Sequence, residues 1–148
     1  MEIRVATAKD VSALAELMKH LGYPTTTEEM TLRFSHIESH PDYHTLVALY
    51  NDKIVGMTGL TKSFFYELDG MYVRIAAMVV DPDYQKLGIG KELIKVAEKW
   101  ANNIGANVLA LNSGDRPERS NAHKFYKNMG FEDKSTGFKT FYSTIVKR

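Results

Sequence analysis

The segment from Gln85 to Lys91 has the residue types that a phosphate-binding turn needs. It reads Gln-Lys-Leu-Gly-Ile-Gly-Lys and stands between an apolar run that ends at Val80 and a long stretch with helical periodicity. Glycine lets the backbone approach a ligand without a side chain in the way. A helix that begins here directs its free N–H groups and the positive end of its dipole toward the turn. The segment therefore predicts a site for phosphate or pyrophosphate.

Two other phosphate motifs do not fit this segment. A dinucleotide-binding fingerprint requires a third glycine at position 93, where the chain has Leu93. A P-loop requires glycine at position 85 and Ser or Thr after the lysine, and the chain has Gln85 and Glu92 there. These mismatches count against a nucleotide-binding domain.

The composition limits the chemistry further. The 148 residues are 44% hydrophobic and 25% charged, as in a globular protein, and we expect one domain over residues 1–148. The absence of cysteine excludes disulfides, thiolate metal sites and a cysteine nucleophile. A net charge of +1 gives no reason to expect nucleic acid as a partner.

No segment has the pattern of a membrane or export signal. The apolar run Ile75–Val80 is far shorter than the roughly 20 residues that cross a bilayer. The start, Met1–Arg4, lacks the apolar stretch of a signal peptide. We therefore expect a soluble, cytoplasmic protein without a membrane partner.

The hydrophobic periodicity predicts a mixed α/β fold with a strand–helix–strand crossover from residue 72 to 112. The unbroken apolar residues of Ile75–Val80 indicate a strand buried on both faces, as in the middle of a sheet. Predicted helices are Val11–Leu21 after a Thr7/Asp10 capping box, a helix from Thr25–Thr27 to Pro41, Gly88–Ile104 and Ser120–Met129; predicted strands are Thr45–Tyr50, Lys53–Phe64, Tyr72–Val80, Asn107–Asn112 and Phe138–Val146.

Two separated motifs resemble those of the GNAT superfamily of acetyl-CoA-dependent N-acetyltransferases. Gln85–Gly90 matches the family pattern Gln/Arg-x-x-Gly-x-Gly/Ala, and Met78–Tyr84 looks like the strand and bend that lead into it. Ser120–Phe131 looks like the C-terminal signature, an Asn followed by Phe/Leu-Tyr and Gly-Phe. The resemblance implies a twisted, mostly antiparallel mixed sheet flanked by helices, with two strands splayed apart at the cofactor slot.

The resemblance also implies how acetyl-CoA is held. Backbone N–H groups of residues 86–91 bind the pyrophosphate, the strand Met78–Val80 pairs with the pantetheine arm, and Asn112 with Ser113 forms the opposite wall. Asn121 matches the family's cofactor-contacting asparagine. The residues assigned to the acetyl-CoA site are Met78, Val79, Val80, Gln85, Lys86, Leu87, Gly88, Ile89, Gly90, Lys91, Asn112, Asn121 and Phe125.

Tyr126 matches the tyrosine that lies beside the cofactor sulfur in the family, and a hydroxyl there can protonate a departing thiolate. Without the two motifs, Phe125 and Tyr126 would be expected only to pack the last helix onto the sheet. An oxyanion formed during acetyl transfer needs fixed backbone donors, for which we expect the N–H of Val79.

The general base stays open in the sequence. Some family members have a glutamate four residues before the position of Met78, and this chain has Arg74 there. A water chain, Glu67, Asp69 or a histidine can serve instead, and no residue pattern chooses among them.

The acceptor is expected to be a small-molecule primary amine, because no added segment for peptide binding is visible. A protein or peptide amine, and a non-catalytic acyl-CoA-binding regulatory module, are the alternatives. Aromatic side chains near the acceptor suit an amine through cation–π contact. The residues expected to form the acceptor pocket are Tyr23, Phe64, Tyr66 and Tyr72, with Phe65 beside them.

Three further patterns concern a possible metal site, a basic cluster and a dimer interface. His36, His40 and His44 recur every fourth residue, but Pro41 interrupts them and no carboxylates accompany them, so we expect a solvated helix end and no metal site. The basic residues Arg116, Arg119 and Lys124 suit either the cofactor 3′-phosphate or an ordinary exposed loop. A homodimer is expected through the last strand, with Phe138, Phe141 and Tyr142.

Overall fold

Five strands form one mixed sheet in the order β1-β2-β3-β4-β5 in the computed structural model, which describes residues 1–112 and 120–132. The described residues form two compact units, one from Met1 to Leu111 and one that begins at Asn112. The strands are β1 Glu2–Val5, β2 Tyr43–Tyr50, β3 Lys53–Phe64, β4 Met71–Val80 and β5 Val108–Leu111; the helices are α1 Val11–Leu21, α2 Thr27–Glu38, α3 Ile89–Asn103 and α4 Ser120–Asn128.

The sheet confirms the mixed, mostly antiparallel architecture. Strands β1 to β4 pair antiparallel with their neighbours, and β5 pairs parallel to β4 after the crossover through α3. A parallel pair needs such a crossover because the chain must return to the same end of the sheet. No helix in residues 1–112 or 120–132 is long and apolar enough to cross a membrane.

Two elements differ from the sequence prediction. Strand β1 was not predicted, and it pairs with β2 from Glu2 opposite Leu49 to Val5 opposite Leu46. Four residues are too few for periodicity to detect a strand. Helix α2 ends at Glu38 rather than at Pro41. The predicted strand at 138–146, with the residues expected at a dimer interface, lies outside the described residues.

Helices cover both faces of the central strands. A methyl group placed on Gly56 of β3 would lie 3.3 Å from Ile89 and 3.4 Å from Leu93, so α3 packs closely on that face. The opposite face carries α1 and α2. Its core consists of Val47, Met57 and Val79 from the strands, with Leu14, Ala15, Leu17, Met30 and Phe34 from the two helices.

A β-bulge interrupts β4 at Ala76. Gly59 lies opposite Ala77 but the next residue, Leu60, lies opposite Ile75, so Ala76 is the extra residue. The bulge exchanges the faces to which odd and even residues of β4 point. The expected continuous burial of Ile75–Val80 is therefore wrong at Ala76, which is exposed. Thr58, itself buried, donates a side-chain hydrogen bond of 3.2 Å to the Ala77 carbonyl next to the bulge.

Strand β4 extends beyond its pairing with β5. The parallel register runs from Tyr72 opposite Val108 to Ile75 opposite Leu111, where β5 ends. Pairing with β3, in contrast, continues to Val80. Among the described residues, the segment Ala76–Val80 therefore has a strand partner only on the β3 side, and the splaying of β4 and β5 that the resemblance implies stays a prediction.

His44 is part of the packing between β2 and α3. Its ring stacks on Trp100 with 4.5 Å between the ring centroids and 3° between the planes. Burial lowers the pKa of His44 below its ordinary value because the charged form loses hydration. The expectation that His44 belongs to a solvated helix end is therefore wrong. His36 is exposed on α2, and His40 accepts a hydrogen bond from the Asp42 N–H.

The lowered pKa of His44 predicts a stability that falls in mild acid. Because the unfolded chain binds the His44 proton more readily, stability decreases as the pH drops through about 6.5, the ordinary histidine value. His44→Phe keeps an aromatic ring against Trp100 but cannot titrate, so the free energy of unfolding of this variant should change less over the same pH range. Denaturant unfolding at several pH values between about 8 and 5.5 measures this free energy of unfolding. His36→Gln, a change at an exposed histidine, should keep the wild-type slope; an unchanged slope in His44→Phe would contradict the assignment.

Candidate functional site

Asp81 fixes the direction in which the chain leaves β4. Its backbone N–H donates to the Val55 carbonyl at 2.7 Å, which extends the pairing with β3 by one residue. Its Oδ1 accepts the Asp83 N–H at 3.0 Å and thereby caps the short 3₁₀ turn Pro82–Tyr84. Its Oδ2 lies 3.8 Å from Nε2 of His20 in the last turn of α1. Three elements thus hold the start of the turn that leads to Gln85.

The turn itself requires left-handed backbone at two residues. Lys86 has a φ of 67° and Gly88 a φ of 81°, and α3 begins directly afterwards at Ile89. Gly88 is the N-cap and has no side chain, so no side-chain group caps α3. The Glu92 N–H donates to the Gly88 carbonyl at 3.1 Å, and this is the first N–H of the helix to find a partner within it.

This arrangement fits a bound phosphate. The N–H groups of residues 89–91 lie in the first turn of a 15-residue helix, at the positive end of its dipole. The approach to them is open because Gln85, Lys86, Leu87 and Gly88 are exposed. The sequence-predicted residues Gln85 to Lys91 therefore lie together as one turn and helix start, and the backbone is the part that can bind an anion.

The edge of β4 offers donors that differ from the predicted one. On a strand, the N–H groups of alternate residues point to the same side. Since the Asp81 N–H donates to β3, the N–H of Val79 also points toward β3, where Val79 lies opposite Met57. The expectation that Val79 supplies an oxyanion donor is therefore wrong. The N–H groups of Met78 and Val80 point to the side where β5 has ended.

The side chains of the same segment alternate between the two faces. Val79 is buried in the core formed with α1 and α2. Met78 and Val80, opposite Thr58 and Gly56, point to the α3 face and are half-buried. The three residues thus form one continuous strand edge, with backbone donors at Met78 and Val80.

The second unit holds Tyr126 in a well-defined helix end. Gly130 has a φ of 97° and donates to the Lys127 carbonyl at 3.0 Å, and the Phe131 N–H donates to the Tyr126 carbonyl at 3.0 Å. These two bonds form a Schellman motif, which is commonly accompanied by a contact between the two residues that it joins. The Tyr126 and Phe131 rings are 6.0 Å apart, and the Phe125 ring is 5.6 Å from Tyr126. The Gly-Phe pair therefore orients the tyrosine ring.

The other predicted residues of the second unit have no assigned partner in the site. Asn112, Asn121 and Lys124 are exposed. That these residues and Tyr126 face β4 stays a prediction. Ser113, Arg116 and Arg119 lie outside the described residues.

The residues predicted to form the acceptor pocket differ in their solvent exposure. Tyr72 of β4 is half-buried and packs against Phe65, with 4.7 Å between the ring centroids. Phe64 is 72% exposed, and Tyr66, in the turn between β3 and β4, is fully exposed. Tyr23 follows the end of α1 and is also exposed. Tyr72 is therefore held in place by an aromatic neighbour.

The candidate bases Glu67 and Asp69, and Arg74, have exposed side chains. Glu67 and Asp69, two of the candidates for a base, lie in the turn between β3 and β4. Arg74 is exposed on β4 itself. Where the structure describes the chain, no three His, Asp or Glu residues lie together as ligands for a metal ion.

Comparison with known proteins gives a consistent result. Residues 11–131 match the acetyltransferase (GNAT) family. An aminoalkylphosphonate N-acetyltransferase of Salmonella typhimurium is 29% identical over 136 residues, covering 88% of this chain and 84% of that protein. The crystal structure of a GNAT family acetyltransferase from Staphylococcus aureus has a TM-score of 0.81 at 29% identity, covering 95% of this chain and 97% of that one. A Trypanosoma brucei acetyltransferase shares the fold, with a TM-score of 0.77 at 24% identity over 95% of this chain and 98% of that chain.

Proposed function

Because the chain belongs to the GNAT family of acetyltransferases, we propose that it transfers an acetyl group from acetyl-CoA to a primary amine of a small molecule. The observation that carries the proposal is the uncapped start of α3 directly after the open edge of β4. A phosphate-binding helix end next to free strand donors suits a ligand with a pyrophosphate at one end and an amide-containing arm.

Backbone groups of this chain would hold acetyl-CoA along that path. The N–H groups of residues 89–91 suit the pyrophosphate, and the free side of Met78–Val80 suits the amides of the pantetheine arm. When bound there, acetyl-CoA supplies an activated thioester. The N–H of Met78 or Val80 is a fixed donor for the thioester oxygen, since both point away from β3.

Two proton transfers complete the reaction: the amine nitrogen loses a proton to a base, for which the sequence leaves several candidates, and the departing sulfur gains a proton, which we assign to Tyr126. Its hydroxyl donates a proton to the departing sulfur, and the Schellman motif at Gly130 limits the positions that the ring can take. The chain has no cysteine, so the amine attacks directly in a ternary complex rather than through an acetyl-cysteine.

A small-molecule acceptor is supported by one relative. The Salmonella typhimurium protein is named for acting on aminoalkylphosphonates, and it aligns with most of this chain. A small amine also suits Tyr72, whose half-buried ring lies on the same strand as the proposed thioester site.

A thiol-release assay with acetyl-CoA and a panel of small amines and lysine peptides tests the proposal. We expect release that depends on a small amine, with the acetylated product identified by mass spectrometry. Tight acetyl-CoA binding without release for any amine would favour a non-catalytic acyl-CoA-binding module, and release only with peptides would favour a protein acceptor.

Gly88→Ala should weaken acetyl-CoA binding about tenfold, the loss expected when one or two backbone hydrogen bonds to phosphate are misaligned. The left-handed backbone also costs alanine about 1 kcal/mol of stability. Gly105→Ala is the matched control, because Gly105 has a φ of 90° and, like Gly88, open space around an added methyl group. Both variants should lose similar stability, whereas only Gly88→Ala should change the dissociation constant measured by calorimetry. Equal binding by the two variants would refute the phosphate site.

Tyr126→Phe should lower kcat about 100-fold, the usual contribution of a positioned acid, and leave acetyl-CoA affinity nearly unchanged. Tyr50→Phe, which removes a tyrosine hydroxyl from β2, should retain full activity. Steady-state kinetics combined with calorimetry separates the two quantities. A Tyr126→Phe enzyme with wild-type kcat would end the assignment of the proton to this hydroxyl.

A further inference from the structure

Arg74 lies on the face of the sheet that α3 does not cover. Ile75 is buried opposite Leu60, and Leu60 points to the same face of β3 as Gly56, against which Ile89 of α3 packs. Side chains alternate along a strand, so Arg74 points to the opposite face. Its side chain is exposed there, between Thr61 of β3 and Ala110 of β5 in the register of the sheet.

The guanidinium of Arg74 has no partner among the described residues. Arg4 binds the Asp10 carboxylate at 2.8 Å and 3.0 Å, and Arg33 donates to the Thr25 hydroxyl at 3.2 Å. No carboxylate of residues 1–112 or 120–132 forms an ion pair with Arg74. An arginine with five donors and a fixed fork geometry therefore faces an open surface, and that geometry matches a carboxylate or phosphonate group.

The position of Arg74 is close to the strand edge proposed for the thioester. Arg74 precedes the bulge residue Ala76 by two positions and Met78, the nearer of the two proposed thioester donors, by four, so its Cα atom lies about 7 Å and about 13 Å from theirs. On this face Arg74 has small residues on three sides, namely Thr61, Ala76 and Ala110, and Tyr72 on the fourth; the small residues leave room for a ligand. A small molecule that lies over this surface can contact the guanidinium at one end and the Ala76–Val80 edge at the other.

We propose that Arg74 binds an oxyanion group of the acceptor, so that the preferred substrates are short amines that also carry a phosphonate, phosphate or carboxylate. The inference rests on the proposed function and names its substrate class. The guanidinium forms charge-assisted hydrogen bonds with the acidic group and places the amine toward the thioester. The same positive charge disfavours acceptors with a second ammonium group.

Four acceptors in which two methylene groups separate the amine from the phosphorus or carbon atom that bears the second polar group test the proposal: 2-aminoethylphosphonate, β-alanine, 3-aminopropanol and 1,3-diaminopropane. We expect the wild-type chain to use the acidic acceptors with a kcat/KM about 10- to 100-fold above that of the amino alcohol, the range of a hydrogen bond to a charged group. The ratio of kcat/KM for 2-aminoethylphosphonate to kcat/KM for β-alanine identifies the preferred acidic group. The diamine should be the poorest acceptor.

Arg74→Gln should remove this preference by raising KM for the two acidic acceptors while leaving the amino alcohol nearly unchanged. Arg74→Lys should restore part of it, and Arg74→Glu should reverse it in favour of the diamine. Lys62→Gln is the matched control, because Lys62 is a cation on the neighbouring strand that lies opposite Val73 and so points to the other face.

The outcomes separate this inference from the proposed function. A wild-type chain that acetylates no small amine, neither these four nor those of the thiol-release panel, overturns both, and one that acetylates other small amines but none of these four overturns the inference alone. Equal kcat/KM for acidic and neutral acceptors overturns the inference alone, as does an Arg74→Gln enzyme that loses activity equally on all four, since that loss would indicate a structural role. A thermal unfolding curve for each variant identifies any loss of the fold.

Discussion

Strand β4 is the element on which the site depends, because its two edges have different hydrogen-bonding environments. One edge is paired with β3 from Met71 to Val80 apart from the bulge residue Ala76, and within the described residues the other edge is paired with β5 only as far as Ile75. Backbone N–H and C=O groups need partners, so an edge that loses its neighbouring strand next to a packed core is a natural place for a ligand with amides of its own. The phosphate turn, the helix start and Arg74 all take their positions from this strand.

The turn after β4 joins that edge to the start of α3. Asp81 holds the turn through β3, its own cap and His20 of α1, and the left-handed residues Lys86 and Gly88 redirect the chain into the helix. A left-handed backbone at a non-glycine residue such as Lys86 destabilises the fold by about 1 kcal/mol, and contacts around the turn must offset this free energy. The free helix N–H groups therefore lie at the end of a segment that is anchored at several points.

Much of this could be predicted from the sequence, because the signals are local. The glycines, the Asp-Pro-Asp bend and the apolar periodicity of α3 act on their own neighbours in the chain, and the elements predicted within residues 1–112 and 120–132 lie within a few residues of the observed ones. Strand β1 was missed because its stability comes from pairing with β2, more than forty residues away in sequence. His44 was misread for the same reason, since its stacking partner Trp100 is on α3.

Residue types and spacing are enough to identify a glycine turn before a helix and an arginine at position 74 in place of a carboxylate. The direction in which the backbone donors of β4 point, and the face on which Arg74 lies, follow instead from the folded sheet. Both depend on the register of β4 with β3 and on the bulge at Ala76, and a shift of one residue would reverse every side chain on the strand. Register is a long-range property, because the packing of α3 on one face and of α1 and α2 on the other selects it.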